Sequence, residues 1–313
     1  MDIKAFKMDG LGNDFVIIDQ RYKEFDLTNN QIKKICNRDF IGCDQLIVIK
    51  KSPFDYLKEE FDPDMLTEIH SKLDDDNKIK SDNIKNIHEY LTNINASLKF
   101  YNSDGSISGA CGNGTRCVAN LISKEKNNKT INLTTLSGNL KSEILENNLV
   151  TTKIGKAKTK WNEIPLFEKL DTLNMNIKIN DKNNNEHSGG TAVNVGNPHL
   201  IFFVDEIKNF DIKIIGPQLE NHKIFPEKCN ITIAQIINNG LIKVKVWERG
   251  AGLTKACGTA ACATAFAGIL NNLTKNNADI EFETGKLSIF VDEENSIHMK
   301  GPVSEIKEIS IKL

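Results

Sequence analysis

The 313-residue chain has no long apolar run at its start, few aromatic residues and almost no net charge. Each lack excludes something. Residues 1–15 hold no apolar stretch long enough for a signal peptide or a membrane span, so a cytoplasmic protein without a membrane partner is expected. A formal charge of −2 leaves no electrostatic footprint for nucleic acid or for an anionic membrane surface. No two cysteines stand in a C-x-x-C spacing, which removes zinc ribbons and thioredoxin-type sites, and no metal site is expected. The cysteines number seven, an odd count that argues against a disulfide framework.

Six of the cysteines fall into two kinds. Cys36, Cys43, Cys117 and Cys262 read as small buried hydrophobes. Cys111 and Cys257 each precede a glycine and then a helix-forming run, in Ala110-Cys111-Gly112-Asn113-Gly114-Thr115-Arg116-Cys117 and in Ala256-Cys257-Gly258-Thr259-Ala260-Ala261-Cys262. A thiol at a helix N-terminus sits beside unpaired N–H groups and the positive end of the helix dipole, both of which favour thiolate. Packing alone does not call for glycine at the next position twice.

The text around the two motifs repeats. Alternating strands over 98–101 and 242–248 precede them, and strands over 130–134, 140–145 and 149–154 follow the first as strands over 279–283, 287–291 and 296–300 follow the second. Ser137-Gly138-Asn139-Leu140 is echoed by Thr284-Gly285-Lys286-Leu287, and Gly155 by Gly301. The helix after Cys257 is small and apolar on nearly every face, so it should be buried all round. The expectation is an α+β fold of two pseudo-symmetric domains from an internal duplication. Each would be a curved mixed sheet or barrel around one central helix, with the active site in the cleft between them. The first domain would take residues 1–155 with about 302–313, and the second 156–301. Near the start, strands at 3–8 and 15–19, a helix at 29–36 and a strand at 45–49 complete the first unit. From about 52 to 95 the text becomes rich in Asp and Lys and reads as an insertion, with surface helices at 62–72 and 81–91 and with His70 and His88 as bystanders.

If the central helices point their N-termini at one cleft, backbone N–H groups there can hold an amino-acid carboxylate. Cys111 and Cys257 would then face one carbon from opposite sides. One removes the α-proton and the other returns a proton to the opposite face, which inverts the centre with neither metal nor organic cofactor. A free thiol titrates near pKa ~8.5, close enough to neutrality for thiol and thiolate to coexist. The helix starts would also stabilise the enolate-like transition state, in a pocket closed to water.

Six segments in order carry a resemblance over nearly the whole chain: Gly10-Leu11-Gly12-Asn13-Asp14-Phe15, Gly42-Cys43-Asp44-Gln45-Leu46, Asn102-Ser103-Asp104-Gly105-Ser106 with the first cysteine motif, Gly196-Asn197-Pro198-His199, Asn230-Ile231, and Glu248-Arg249-Gly250-Ala251-Gly252 with the second. The sequence resembles the diaminopimelate epimerase family. The resemblance implies interconversion of LL- and meso-2,6-diaminopimelate without pyridoxal phosphate, for lysine and peptidoglycan synthesis, by a homodimer. It implies that Cys111 and Cys257 are the acid/base thiols, and that Gly112, Asn113, Gly258 and Thr259 present N–H groups to the reacting carboxylate. Arg249, whose guanidinium binds two oxygens at once, would hold the distal carboxylate. Asn13, Gln45, Asn102, Asn197 and Asn230 would complete that end. Glu248 would accept from the reacting ammonium, and His199 would assist a thiol.

The chain departs from the family pattern in the 52–95 insertion, in Thr259 where Ser is frequent, and in Cys43 where an apolar residue is common; Cys43 and Cys229 carry no assigned role. Two alternatives stand beside this reading. One is another two-thiol racemase, of the proline or hydroxyproline type, for which the Asn set and Arg249 would be superfluous. The other is a non-catalytic binding or redox-sensing protein on the same scaffold.

Overall fold

A computed structural model describes residues 2–60 and 92–313. The helices expected at 62–72 and 81–91, with His70 and His88, lie outside the described residues. Each half of the chain begins with three strands and a helix. β1 (Asp2–Asp9) pairs antiparallel with β2 (Asp14–Asp19), α1 (Asn29–Cys36) crosses over, and β3 (Gln45–Lys50) lies parallel to β2. Thr28 caps α1 reciprocally: Gln31 N donates to Thr28 Oγ1 at 3.3 Å, and Thr28 N donates to Gln31 Oε1 at 2.9 Å. A further helix, α2 (Pro53–Glu60), opens the stretch read as an insertion.

β4 (Ala96–Asn102) runs antiparallel to β3, with short β5 (Ile107–Ser108) on its side. The central helix α3 (Gly112–Lys126) follows. It ends where Asn127 adopts φ +50° and its N–H returns to Ser123 O. β6 (Thr130–Thr135) then lies parallel to β4, and β7 (Gly138–Ile144) and β8 (Leu149–Lys156) continue antiparallel.

A small hairpin of β9 (Ile177–Asn180) and β10 (Glu186–Gly189) separates the halves. The second half runs β11 (Thr191–Asn194), β12 (Pro198–Phe203), a 3-10 turn at Ile207–Asn209, α4 (Ile212–Glu220), β13 (Asn230–Asn238), β14 (Leu241–Glu248), β15 (Gly252–Thr254), α5 (Gly258–Leu270), β16 (Asn277–Phe282), β17 (Gly285–Val291) and β18 (Ser296–Pro302). Its pairings repeat those of the first half one by one. β11–β12 is antiparallel, β12–β13 parallel, β13–β14 and β14–β15 antiparallel, β14–β16 parallel, and β16–β17 and β17–β18 antiparallel. The fold is α+β, with the same mixed-sheet topology used twice. β8 and β18 join the two sheets antiparallel into one sheet, 17-stranded among the described residues, and β19 (Lys307–Lys312) returns to pair with β1.

Burial explains the apolar runs. In β2 and β3, Phe15, Ile17, Ile47 and Ile49 pack inward on α3, while Val16, Ile18 and Leu46 pack outward on Ile32 and Ile35 of α1. A sheet covered on both faces needs an unbroken apolar run, not an alternating one. α4 covers the second half in the same way, through Ile212, Ile215 and Leu219 against Ile231 and Ile233. α5 is buried on every side, as its small residues demand. Each Phe, Ile, Leu or Val side chain among these, taken fully from water, contributes about 1.5–3 kcal/mol.

Candidate active site

Both cysteines occupy the N-cap position of a central helix, with almost the same backbone. Cys111 has φ −144° and ψ 113°; Cys257 has φ −140° and ψ 115°. Gly114 N donates to Cys111 Sγ at 3.5 Å, and the same sulfur lies 3.9 Å from Asn13 Oδ1. Cys257 Sγ lies 3.4 Å from Thr259 Oγ1. The helix starts approach each other. A β-carbon added at Gly258 would stand 3.2 Å from Asn113 Oδ1 and 3.1 Å from Met299 Sδ; one added at Gly112 would stand 2.5 Å from Met299 Cε. Met299 therefore gives a packing reason for glycine after both cysteines, which the sequence argument had denied.

The remaining candidate residues fall at equivalent places of the repeat. Asn13 immediately precedes β2 as Asn197 precedes β12; Gln45 opens β3 as Asn230 opens β13; Asn102 closes β4 as Glu248 closes β14. In the first half, Gln45 and Asn102 are direct cross-strand partners, and Gln45 Nε2 donates to Asn102 Oδ1 at 2.9 Å. Asn13 Nδ2 donates to Asp44 Oδ2 at 2.7 Å, and Arg38 holds the other oxygen of Asp44. In the second half, Asn230 Nδ2 donates to Pro198 O at 2.9 Å, while Asn230 Oδ1 accepts from Arg249 N at 3.0 Å. His199 pairs in register with Asn230, and its Nε2 meets Asn197 Oδ1 at 2.9 Å. Arg249 is exposed and does not pair with Glu248; its Nη1 donates to Glu227 O at 2.7 Å.

The electrostatics overturn one expectation. Burial pushes the Cys111 thiol up to about 11, against the pull of Gly114 N–H, and burial followed by the Glu248 charge pushes Cys257 well above the ordinary thiol value. A helix terminus offers about 0.3–1 kcal/mol, less than one pKa unit, whereas full burial shifts a group by up to about 3–5 units. Desolvation wins, and burial favours the thiol form of both cysteines. Glu248 is itself raised by burial, with Thr254 and Cys257 beside it pulling it back. Burial, and then the Arg249 charge, lower His199 to about 3, so its imidazole is neutral. The sequence reading left Arg116 without a part. It is wholly buried, burial lowers its pKa, and its positive charge works against the burial of Cys111, Cys117 and Cys262. Neither it nor Met299 carries a local signal beyond a position in or near a motif. Among the described residues, no helix is long and apolar enough to cross a membrane.

The fold recurs in solved structures. The phenazine biosynthesis protein of the PhzF family from Bacillus anthracis matches over all of both chains with a TM-score of 0.60 at 12% identity. A hydroxyproline epimerase from Agrobacterium vitis matches over 99% of this chain and 93% of its own with a TM-score of 0.61 at 9% identity. Fold and site together define a duplicated α+β protein with one cysteine capping each central helix. The family model described as diaminopimelate epimerase matches residues 55–160 and 191–306. The diaminopimelate epimerase of Pelagibacter ubique is 60% identical over all of both chains, and that of Acidiphilium cryptum is 35% identical over 96% of this chain and 94% of its own. This chain belongs to the diaminopimelate epimerase family.

Proposed function

We propose that this protein is an isomerase that interconverts LL- and meso-2,6-diaminopimelate through Cys111 and Cys257, on the path to lysine and peptidoglycan precursors. The observation that carries the reading is the pair of cysteines with matching N-cap geometry on two helices whose starts meet at Met299.

The reacting carboxylate lies between the two helix starts, held by N–H groups at Gly112, Asn113, Gly258 and Thr259. The reacting ammonium lies against Glu248. Its positive charge offsets the burial that keeps the thiols protonated, so one thiol gives its proton to solvent water as substrate enters and before the pocket closes. The thiolate takes the α-proton; the negative charge spreads onto the carboxylate; the opposite thiol gives its proton to the other face and becomes the thiolate. Atoms and charge balance, and the two sulfurs have exchanged roles. The distal ammonium and carboxylate are read by Asn13, Gln45, Asn102, Asn197, Asn230 and Arg249. His199, neutral and bonded to Asn197, orients that amide.

In this reading one domain is 1–155 with about 302–313, the other is 156–301, and the working form is a cytoplasmic homodimer that needs neither metal nor organic cofactor. The test is turnover in heavy water. LL-diaminopimelate should acquire deuterium at the inverted centre while L-proline acquires none. Exchange into L-proline alone would replace this substrate assignment.

A further inference from the structure

The turn that carries Glu248 and Arg249 is tight and exposed. β14 ends at Glu248, Ala251 N returns to Glu248 O at 3.0 Å, and Gly250 takes φ +76°, a conformation in which a side chain would be strained. The matching turn of the first half closes on itself. Ser106 N and Oγ donate to Asp104 Oδ1 at 2.8 and 2.6 Å, and Asn102 Nδ2 donates to Ser106 Oγ at 3.0 Å.

The second turn is held from outside by Glu220, the last residue of α4. One carboxylate oxygen accepts from Trp247 Nε1 at 2.8 Å and the other from Gly250 N at 3.1 Å, with Lys228 Nζ 3.6 Å from that second oxygen. A single carboxylate thus grips the chain on both sides of Glu248-Arg249. Glu220 is only 7% exposed, and α4 is pressed onto the same strand: a β-carbon at Gly216 would overlap the Trp247 indole. A carboxylate buried this far is costly unless its hydrogen bonds are met, and two of its partners are the residues on either side of Glu248-Arg249.

We propose that Glu220 is a positioning residue, which fixes the 248–251 turn so that Arg249 meets the distal carboxylate of the substrate. The proposal rests on the assignment of Arg249 to that carboxylate. Its effect falls on substrate capture more than on proton transfer, because Glu248 keeps its place as the last residue of β14 whereas Arg249 lies beyond the strand, in the turn itself.

Steady-state kinetics on LL-diaminopimelate with Glu220→Gln, Arg249→Lys and the double variant provide the test. Glu220→Gln should raise KM about tenfold with kcat within about threefold, since the amide keeps one acceptor and loses the other. In the Arg249→Lys background the same change should raise KM by no more than about twofold, because both act through one contact. Additive effects, or a loss confined to kcat, would overturn the proposal. An unchanged KM in Glu220→Gln beside a raised KM in Arg249→Lys would remove Glu220 and leave the assignment of Arg249 standing. An unchanged KM in Arg249→Lys would remove both. Should Glu220→Gln fail to fold, Trp247→Phe deletes one donor and leaves Gly250 bonded; it should raise KM about threefold, and an unchanged KM there would overturn the proposal.

Discussion

The two halves share one topology and one set of site positions, yet they place different chemistry there. The first half offers amides: Asn13, Gln45 and Asn102. The second offers Asn197 and Asn230, but Glu248 stands where Asn102 does, and His199, second in β12, stands where Phe15 is second in β2. Arg249 follows Glu248 as uncharged Ser103 follows Asn102. The repeat therefore presents two equivalent thiols, while the charged residues at these matched positions, Glu248 and Arg249, stand in the second half alone. The thiols are no longer electrostatic twins: burial raises both, and Glu248 adds its strongest effect at Cys257.

The largest test of this comparison is removal of either sulfur. Cys111→Ala and Cys257→Ala should each lower interconversion of the two epimers about 10³-fold or more, a loss in the range of general acid–base catalysis, measured by chiral chromatography of the product. Next is Glu248→Gln, which makes the second half resemble the first. It should lower kcat/KM by about 10- to 100-fold. It should also speed alkylation of Cys257 at a given alkaline pH, because a neighbouring anion no longer opposes the thiolate. In the unmodified protein both thiols should alkylate slowly until the pH approaches about 11, with Cys111 the faster.

Much of this asymmetry was legible in the sequence and part was not. α1, α3 and α5 follow from a capping box, a Cys-Gly start and a run of small apolar residues, signals that are local. α4 escaped notice because Gly216 and Pro217 sit inside it and lower its intrinsic propensity; it forms because Gly216 allows close approach to Trp247. The four-residue strands β9, β10 and β11 are too short to show a period. Motif order named the candidate site residues, but the protonation of the thiols depends on how much protein surrounds each sulfur, which no spacing encodes.

Two smaller effects sharpen the comparison. Gly112→Ala should destabilise the fold by about 1–3 kcal/mol in urea unfolding, because its β-carbon would collide with Met299 Cε, whereas Gly258→Ala, with more room, should cost less. Met299→Ala should shrink the difference between them. The second concerns acid stability. His199 is lowered from 6.5 to about 3, so between those values the unfolded chain binds a proton that the folded one does not. Its contribution is fully present above about pH 6.5 and is lost as pH falls towards about 3. His199→Phe, which copies Phe15, should flatten stability against pH in that window.

The central claim is that two sulfurs serve opposite faces of one carbon, and single-thiol variants in heavy water test it most directly. Each of Cys111→Ala and Cys257→Ala keeps one sulfur, which can remove and return hydrogen on its own face only. One variant should therefore exchange the α-hydrogen of LL-diaminopimelate without inverting it, and the other should exchange only the D centre of the meso epimer. If both variants exchanged the same epimer, or if either still inverted at the rate of the intact protein, the two-sided arrangement would be wrong.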